Sequence, residues 1–290
     1  ASEKANFVWH GASCLPPEYK RCLLALSRGG SDADESREFD LGDKAFVKDG
    51  FFRPEAKGSL GWHDANSVFV STDFGAGSMT TSGYARIVKL WQRGTPMSAA
   101  TTVFSADEKD LGAQGFHDFS PGFERDFVWR GFAFYNNELY VLDKAGKPQR
   151  LDLPNSADKS VHREWLTVQL REPLAEGGKT YPAGSLLATN FNDFMKGKRV
   201  WEVVFTPTPT TSLQAAVWTK DFLLLNLLED VKSRIEVFYP RTDGWDSSGL
   251  ETKEDIVDLT VGAVDADNSN EYWLTSTSFL TPTSLSLGEA

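Results

Sequence analysis

The feature that most constrains this chain is a recurring strand–turn–strand unit. It runs as ASCLPPEYKRCLLALSRGGSD from Ala12, GWHDANSVFVSTDF from Gly61, SVHREWLTVQL from Ser160, AVWTKDFLLLNLLED from Ala216 and GAVDADNSNEYWLTSTSF from Gly262. Each copy joins a short apolar strand, a polar turn of Asp, Asn, Lys or Pro, and a second, strongly apolar strand. A weaker copy, ERDFVWRGFAFYNNELYVLD, turns at Asn136-Asn137. A third strand follows the hairpins (SREFDL, RIVKLW, SLLATNF, RIEVFYP, SLSLG), and often a fourth (KAFV, TTVF, WEVVF). Four strands every 45 to 55 residues or so is the period of propeller blades. A blade cannot bury both faces alone, so its neighbours must pack against it around an axis.

The repeat therefore predicts an all-β chain: a β-propeller of four-stranded antiparallel blades forming a single domain over residues 1–290. Six blades are expected, near 7–50, 57–105, 110–155, 158–206, 211–251 and 256–290, the last without an obvious fourth strand. Nine Trp, twenty Phe and recurring Thr and Val suit pleated, half-buried strands. Helical signals are confined to Phe191 to Lys196, enough for one turn. An aligned β-sandwich is the competing architecture, and the regular four-strand period favours the propeller.

A net charge of −11 argues against a general nucleic-acid binder, which needs a basic face. No stretch reaches the roughly 20 apolar residues that span a bilayer, so no membrane partner is expected. The longest apolar cluster, Phe222 to Leu228, is interrupted by Asn226. The N-terminal ASEKANFVWHG has neither an initiator Met nor an apolar signal core and reads as a boundary inside a longer protein. Location stays open, with the cytoplasm favoured. Cys14 and Cys22 flank a turn and could face each other across a hairpin, but two cysteines make no disulfide framework, and two reduced buried thiols are expected. His10, His63, His117 and His162 are scattered along the chain without ligand-like spacing, so no metal site and no cofactor are expected.

No G-x-S-x-G nucleophile elbow occurs; KGSLG, GAGSM and AGSLL all have the wrong spacing. Gly29-Gly30-Ser31-Asp32 lies between strands and lacks the Lys-Ser/Thr pair of a phosphate loop, so it reads as a hairpin turn. VDADNSNE lacks the carboxylate order and the Gly of a calcium loop. The adjacent acids Glu229-Asp230 and Asp107-Glu108 read as edge charges rather than a glycosidase pair. No catalytic residue is assigned in this chain.

Three segments carry a family resemblance. LLALSRGGSDADESREFDL resembles the second blade of prolyl oligopeptidases, with an apolar strand leading into a Gly-Ser-Asp turn. LLLNLLEDVKSRIEVFYP resembles a later blade with a short Asp-Val-Lys turn, and EYWLTSTSFLTPTSLSLG the closing blade before the peptidase domain. They occur in order, and REFDL, TPGFERDF-like and GGKTYPAGSLLA motifs point to a bacterial branch; here the second of these reads SPGFERDF. The resemblance implies a seven-bladed propeller set over an α/β-hydrolase catalytic domain of the same polypeptide. This chain would then begin near the second blade and stop before the catalytic Ser, Asp and His.

The resemblance further implies a gating role, in which the propeller covers the active site and admits only short peptide substrates. Arg171, which opens the loop REPLAEGGKTYPAG, is the candidate substrate-cavity residue, by analogy with a basic residue on a comparable family loop. His117 with Phe116, Phe119 and Phe123 is another candidate lining, for which a core role is the favoured reading. A stand-alone propeller that binds a protein or small ligand on its rim is the alternative function.

Overall fold

The computed structural model describes residues 6–241, 244–250 and 258–290. The junction expected between the fifth and sixth blades thus lies partly outside the described residues. The first sheet holds β1 (Phe7–Cys14), β2 (Arg21–Arg28), β3 (Asp34–Asp40), β4 (Ala45–Phe46) and β5 (Phe52–Ala56), and β5 adds a fifth strand by pairing with β3. The second holds β6 (Ser59–Asp64), β7 (Ser67–Ser71), β8 (Ile87–Gln92) and β9 (Thr101–Ser105). The third is β10 (Gly112–Asp118), β11 (Arg125–Ala133), β12 (Asn136–Leu142) and β13 (Pro148–Arg150).

The fourth sheet uses β14 (Asp158–His162) and β15 (Trp165–Gln169), then admits a separate hairpin, β16 (Leu174–Glu176) and β17 (Lys179–Tyr181). It resumes with β18 (Leu186–Asn190), the one-turn helix α1 (Phe191–Met195) and β19 (Glu202–Phe205). The fifth is β20 (Thr211–Trp218), β21 (Leu223–Glu229), β22 (Lys232–Arg241) and β23 (Gly244–Gly249). The sixth has three strands among the described residues: β24 (Asp258–Ala263), β25 (Glu271–Thr277) and β26 (Ser284–Glu289). Every sheet is antiparallel, and apart from β5 on β3 the blade strands pair with their neighbours in chain order, the arrangement of propeller blades.

The segment REPLAEGGKTYPAG, expected as a loop, is instead partly a hairpin. Gly177 and Gly178, at φ 59° and 75°, supply the two left-handed residues that a tight turn between strands demands. The helix α1 forms where Asn190 caps it, its side chain accepting from the Asp193 N–H at 3.1 Å.

The second strands of blades two and five, β7 and β21, are buried on both faces, which explains why they are continuous apolar runs rather than alternating ones. In β7, Val68 and Val70 join a core with Leu23, Phe51, Trp62 and Trp91, while Phe69 points the other way into a core with Val88, Ala113 and Val128. In β21, Leu223, Leu225 and Leu227 pack with Leu186, Phe205 and Trp218, and Leu224 packs oppositely with Ile235, Leu259 and Tyr272. The period-two alternation of a strand thus serves two blade interfaces at once. Each such side chain contributes about 1.5–3 kcal/mol on burial. The contacts divide the chain into two compact units, residues 1–119 with 124–155, and residues 120–123 with 156–290.

One expectation is overturned here. Cys14 and Cys22 are not two thiols but a disulfide, joining directly opposed residues of β1 and β2. Counting cysteines missed this because what decides the bond is register. The six-residue turn Leu15 to Lys20, closed by the Leu15 N–H donating to the Arg21 carbonyl at 2.8 Å, leaves the two cysteines opposite each other.

Candidate functional site

Polar side chains concentrate at the ends of the first strands of blades two and three. β6 ends in Gly61-Trp62-His63-Asp64 and β10 in Gly115-Phe116-His117-Asp118, the same pattern one blade apart. Their imidazoles lie 5.3 Å apart between ring centres. Asp126 of β11, paired in register with His117, reaches both rings. His117 Nδ1 is 2.7 Å from its Oδ1 and His63 Nε2 is 3.3 Å from its Oδ2. The other nitrogen of His63, Nδ1, lies 2.7 Å from Ser67 Oγ and 3.1 Å from Asp64 Oδ2. Phe69 and Phe119 pack edge-on against His63 and His117 respectively.

The electrostatics follow from this geometry. The Asp126 contact, with the charges of Asp126 and Asp64, raises His63 above the ordinary imidazole range despite partial burial. Burial pushes Asp126 up, but the hydrogen bonds and charges of the two histidines outweigh it and hold the carboxyl at about 2. Burial likewise opposes the ionised form of Asp64, yet the Asn66 N–H, Ser67 and His63 bring it below its usual value.

The reading of the histidines as scattered is therefore corrected. His63, His117 and His162 are separated by one blade each, and all three stand at the end of a blade's first strand. The blade period itself was the signal, because residues one repeat apart occupy equivalent places in adjacent blades. The three differ in environment. His162 stacks on Trp218 with ring centres 4.8 Å apart, and its Nε2 lies 3.0 Å from the Lys220 carbonyl oxygen. His10, itself exposed, sits 3.4 Å from the half-buried Asp34 carboxylate and is not part of the cluster.

Of the candidate lining, Phe116 stacks on Phe127 and stays partly exposed, and Phe119 packs onto the core of blades one and two. Phe123 belongs to the second unit, where Arg163 lies over its ring at 5.5 Å. Arg171 is exposed just after β15 and donates from its guanidinium to Asp158 at 2.8 Å. Sequence reasoning passed over Glu38, a carboxylate almost fully buried in β3. It accepts from both terminal nitrogens of Arg93 at 2.8 and 3.0 Å, from Arg21 at 3.0 Å and from the Phe51 N–H at 2.9 Å. No local pattern marks it, because β3 buries Glu35 and Ser36 as well, and the arginines that pair with Glu38 come from other parts of the chain.

Residues 1–285 match the family described as prolyl oligopeptidase, N-terminal beta-propeller domain. The chain is 31% identical over its whole length to the uncharacterized peptidase y4nA of Sinorhizobium fredii, covering 41% of that protein. It is 26% identical over 82% of its length to the uncharacterized peptidase RP174 of Rickettsia prowazekii, covering 35% of it. It thus spans about two fifths of these relatives. The fold is shared with a post-proline cleaving enzyme from Rickettsia typhi, with a TM-score of 0.90 at 22% identity, over 98% of this chain and 43% of that one. The six sheets are accordingly propeller blades, and the chain belongs to the prolyl oligopeptidase family as its N-terminal β-propeller domain.

Proposed function

We propose that this chain is the gating, size-filtering propeller of a prolyl-oligopeptidase-like serine peptidase that cleaves short peptides. The family match over residues 1–285, with peptidase relatives more than twice as long, carries the reading. The hydrolytic chemistry then belongs to an α/β-hydrolase domain on the same polypeptide, and this chain acts on access. Blades locked by apolar cores on both faces form rigid walls, and rigid walls suit a filter that discriminates by size. The six sheets act as blades of a single propeller domain in this reading. Arg171 lines the substrate cavity and orients the peptide, exchanging its present partner Asp158 for substrate.

The test is the full-length peptidase carrying this propeller, assayed on a short proline-containing peptide and on the same sequence embedded in a folded protein. Cleavage confined to the short peptide is expected. Comparable cleavage of both overturns the filter, and inhibitor-sensitive turnover by the isolated 290-residue chain overturns the assignment of chemistry elsewhere. Arg171→Ala is expected to raise KM several-fold with kcat little changed. An unchanged KM removes Arg171 from the cavity.

A further inference from the structure

We propose that His63, His117 and Asp126 form a binding site for one divalent transition metal of the zinc class, which clips blade two to blade three. The proposal does not depend on the peptidase reading.

Four observations carry it. The donor set is two imidazoles and one carboxylate, the borderline nitrogen and oxygen ligands that zinc, cobalt and nickel prefer. One donor atom from each side chain lies within 4.8 Å of the others. Ligands held 2.0–2.2 Å from a common ion are about 3 to 3.5 Å apart, so closing a separation as wide as 4.8 Å needs a contraction of up to about 1.3 to 1.8 Å. The site is also framed from outside: Ser67 and Asp64 hold the non-facing nitrogen of His63, the support that metal-ligating imidazoles receive from a hydroxyl or carboxylate behind them. Finally, charge favours a cation. Asp126 and Asp64 bring two carboxylates to the cluster, and the neighbouring Arg125 is engaged by Asp118 at 2.9 Å.

His162 shows what the same blade position becomes without such a role. Its ring is stacked and its Nε2 is turned to a backbone carbonyl oxygen. His63 and His117 instead face each other around one carboxylate, and each keeps part of its side chain open to solvent, which gives an ion a path in and leaves room for water as a further ligand. A ligating imidazole nitrogen must carry no proton, so the ion displaces any N–H proton facing Asp126, either to the other nitrogen of the same ring or to solvent. Because His63 comes from β6 and the other two ligands from β10 and β11, the bond network crosses the blade interface.

The experiment titrates the chelator-treated 290-residue chain with Zn²⁺ by calorimetry and with Co²⁺ by visible absorption. One ion per chain is expected, with the ligand-field bands of a nitrogen- and oxygen-bound cobalt and a melting temperature that rises on adding Zn²⁺ and falls back with chelator. Ser67→Ala is expected to weaken Zn²⁺ binding by about 10- to 100-fold, and His117→Gln by more, while His10→Gln changes nothing. Circular dichroism of each variant without metal verifies its fold. Since the wild-type titration stands without any variant, absence of saturable one-to-one binding overturns the site and leaves the cluster a hydrogen-bonded bridge. Saturable binding that survives in folded His63→Gln and His117→Gln places the ion elsewhere and overturns it equally.

Discussion

Gly115 of β10 lies directly against Phe69 of β7: a Cβ at residue 115 would stand 2.8 Å from Phe69 Cδ1 and equally close to Val88 Cγ1. Both neighbours are almost fully buried, so neither ring nor methyl has room to withdraw. The missing side chain is what lets the first strand of blade three approach blade two, and it brings His117, two residues on, beside His63. Gly115→Ala is expected to cost about 1–3 kcal/mol through overpacking. Gly61, at the equivalent place in blade two, is the control, because its Cβ would meet the Gly115 carbonyl oxygen at an ordinary 3.6 Å. Thermal melts should show Gly115→Ala several degrees below wild type and Gly61→Ala close to it; equal melting of all three sinks the packing argument.

Asn226 explains the break in the apolar run of β21. Its side chain, nearly buried, donates from Nδ2 to the Leu259 carbonyl at 2.6 Å and so ties blade five to blade six. Asn226→Ala removes the donor and leaves that acceptor short of a partner. A loss of about 1–3 kcal/mol is expected in denaturant unfolding. A loss no larger than that of an exposed Asn, such as Asn192→Ala, would show the bond to be dispensable.

The contrast between these residues shows what the sequence could reveal. Strands, blade period and family were legible because they rest on local patterns, such as the apolar run of β7 and the one-turn helix after Asn190. The turn expected at Asn136-Asn137 falls instead at Phe134-Tyr135, and the two asparagines open β12. The site was not legible, because it is made between blades. His63 and Asp126 are far apart in sequence and meet only when one blade packs on the next. Asn226 looked like a flaw in an apolar strand because Leu259 was not yet beside it. The Cys14–Cys22 bond fell between these cases, being local in sequence but decided by hairpin register.

That bond carries its own expectation. Intact mass after alkylation of the denatured, unreduced chain should show neither thiol labelled and a mass two hydrogens short of the reduced chain. The bridge closes a short loop, with a sequence separation of 8, so chain-entropy reasoning gives it about 2–3 kcal/mol. Cys14→Ser/Cys22→Ser should therefore unfold at lower denaturant concentration than wild type. Quantitative labelling of both cysteines in the unreduced chain would exclude the bridge.

Glu38 predicts how stability depends on pH. Burial by itself raises its pKa, but hydrogen bonds from Arg93, the Phe51 N–H and Arg21, with the charge of Arg93, reverse the effect and leave it below the ordinary glutamate value of 4.5. A carboxyl whose folded pKa is depressed binds its proton more readily in the unfolded chain, so its contribution to stability is fully present above the unfolded pKa. That contribution is lost as pH falls from about 4.5 through the folded value. Glu38→Gln removes the charge at every pH and leaves Arg93 and Arg21 facing a neutral amide. Both arginines are partly exposed, so the cost at neutral pH is expected near 2–3 kcal/mol, below that of a fully buried pair. Melting temperatures of wild type and Glu38→Gln should be well separated at pH 7 and draw together as pH drops below about 4. A separation that stays constant through the acid range would mean that the Glu38 charge contributes nothing to stability and that the variant acts only through packing.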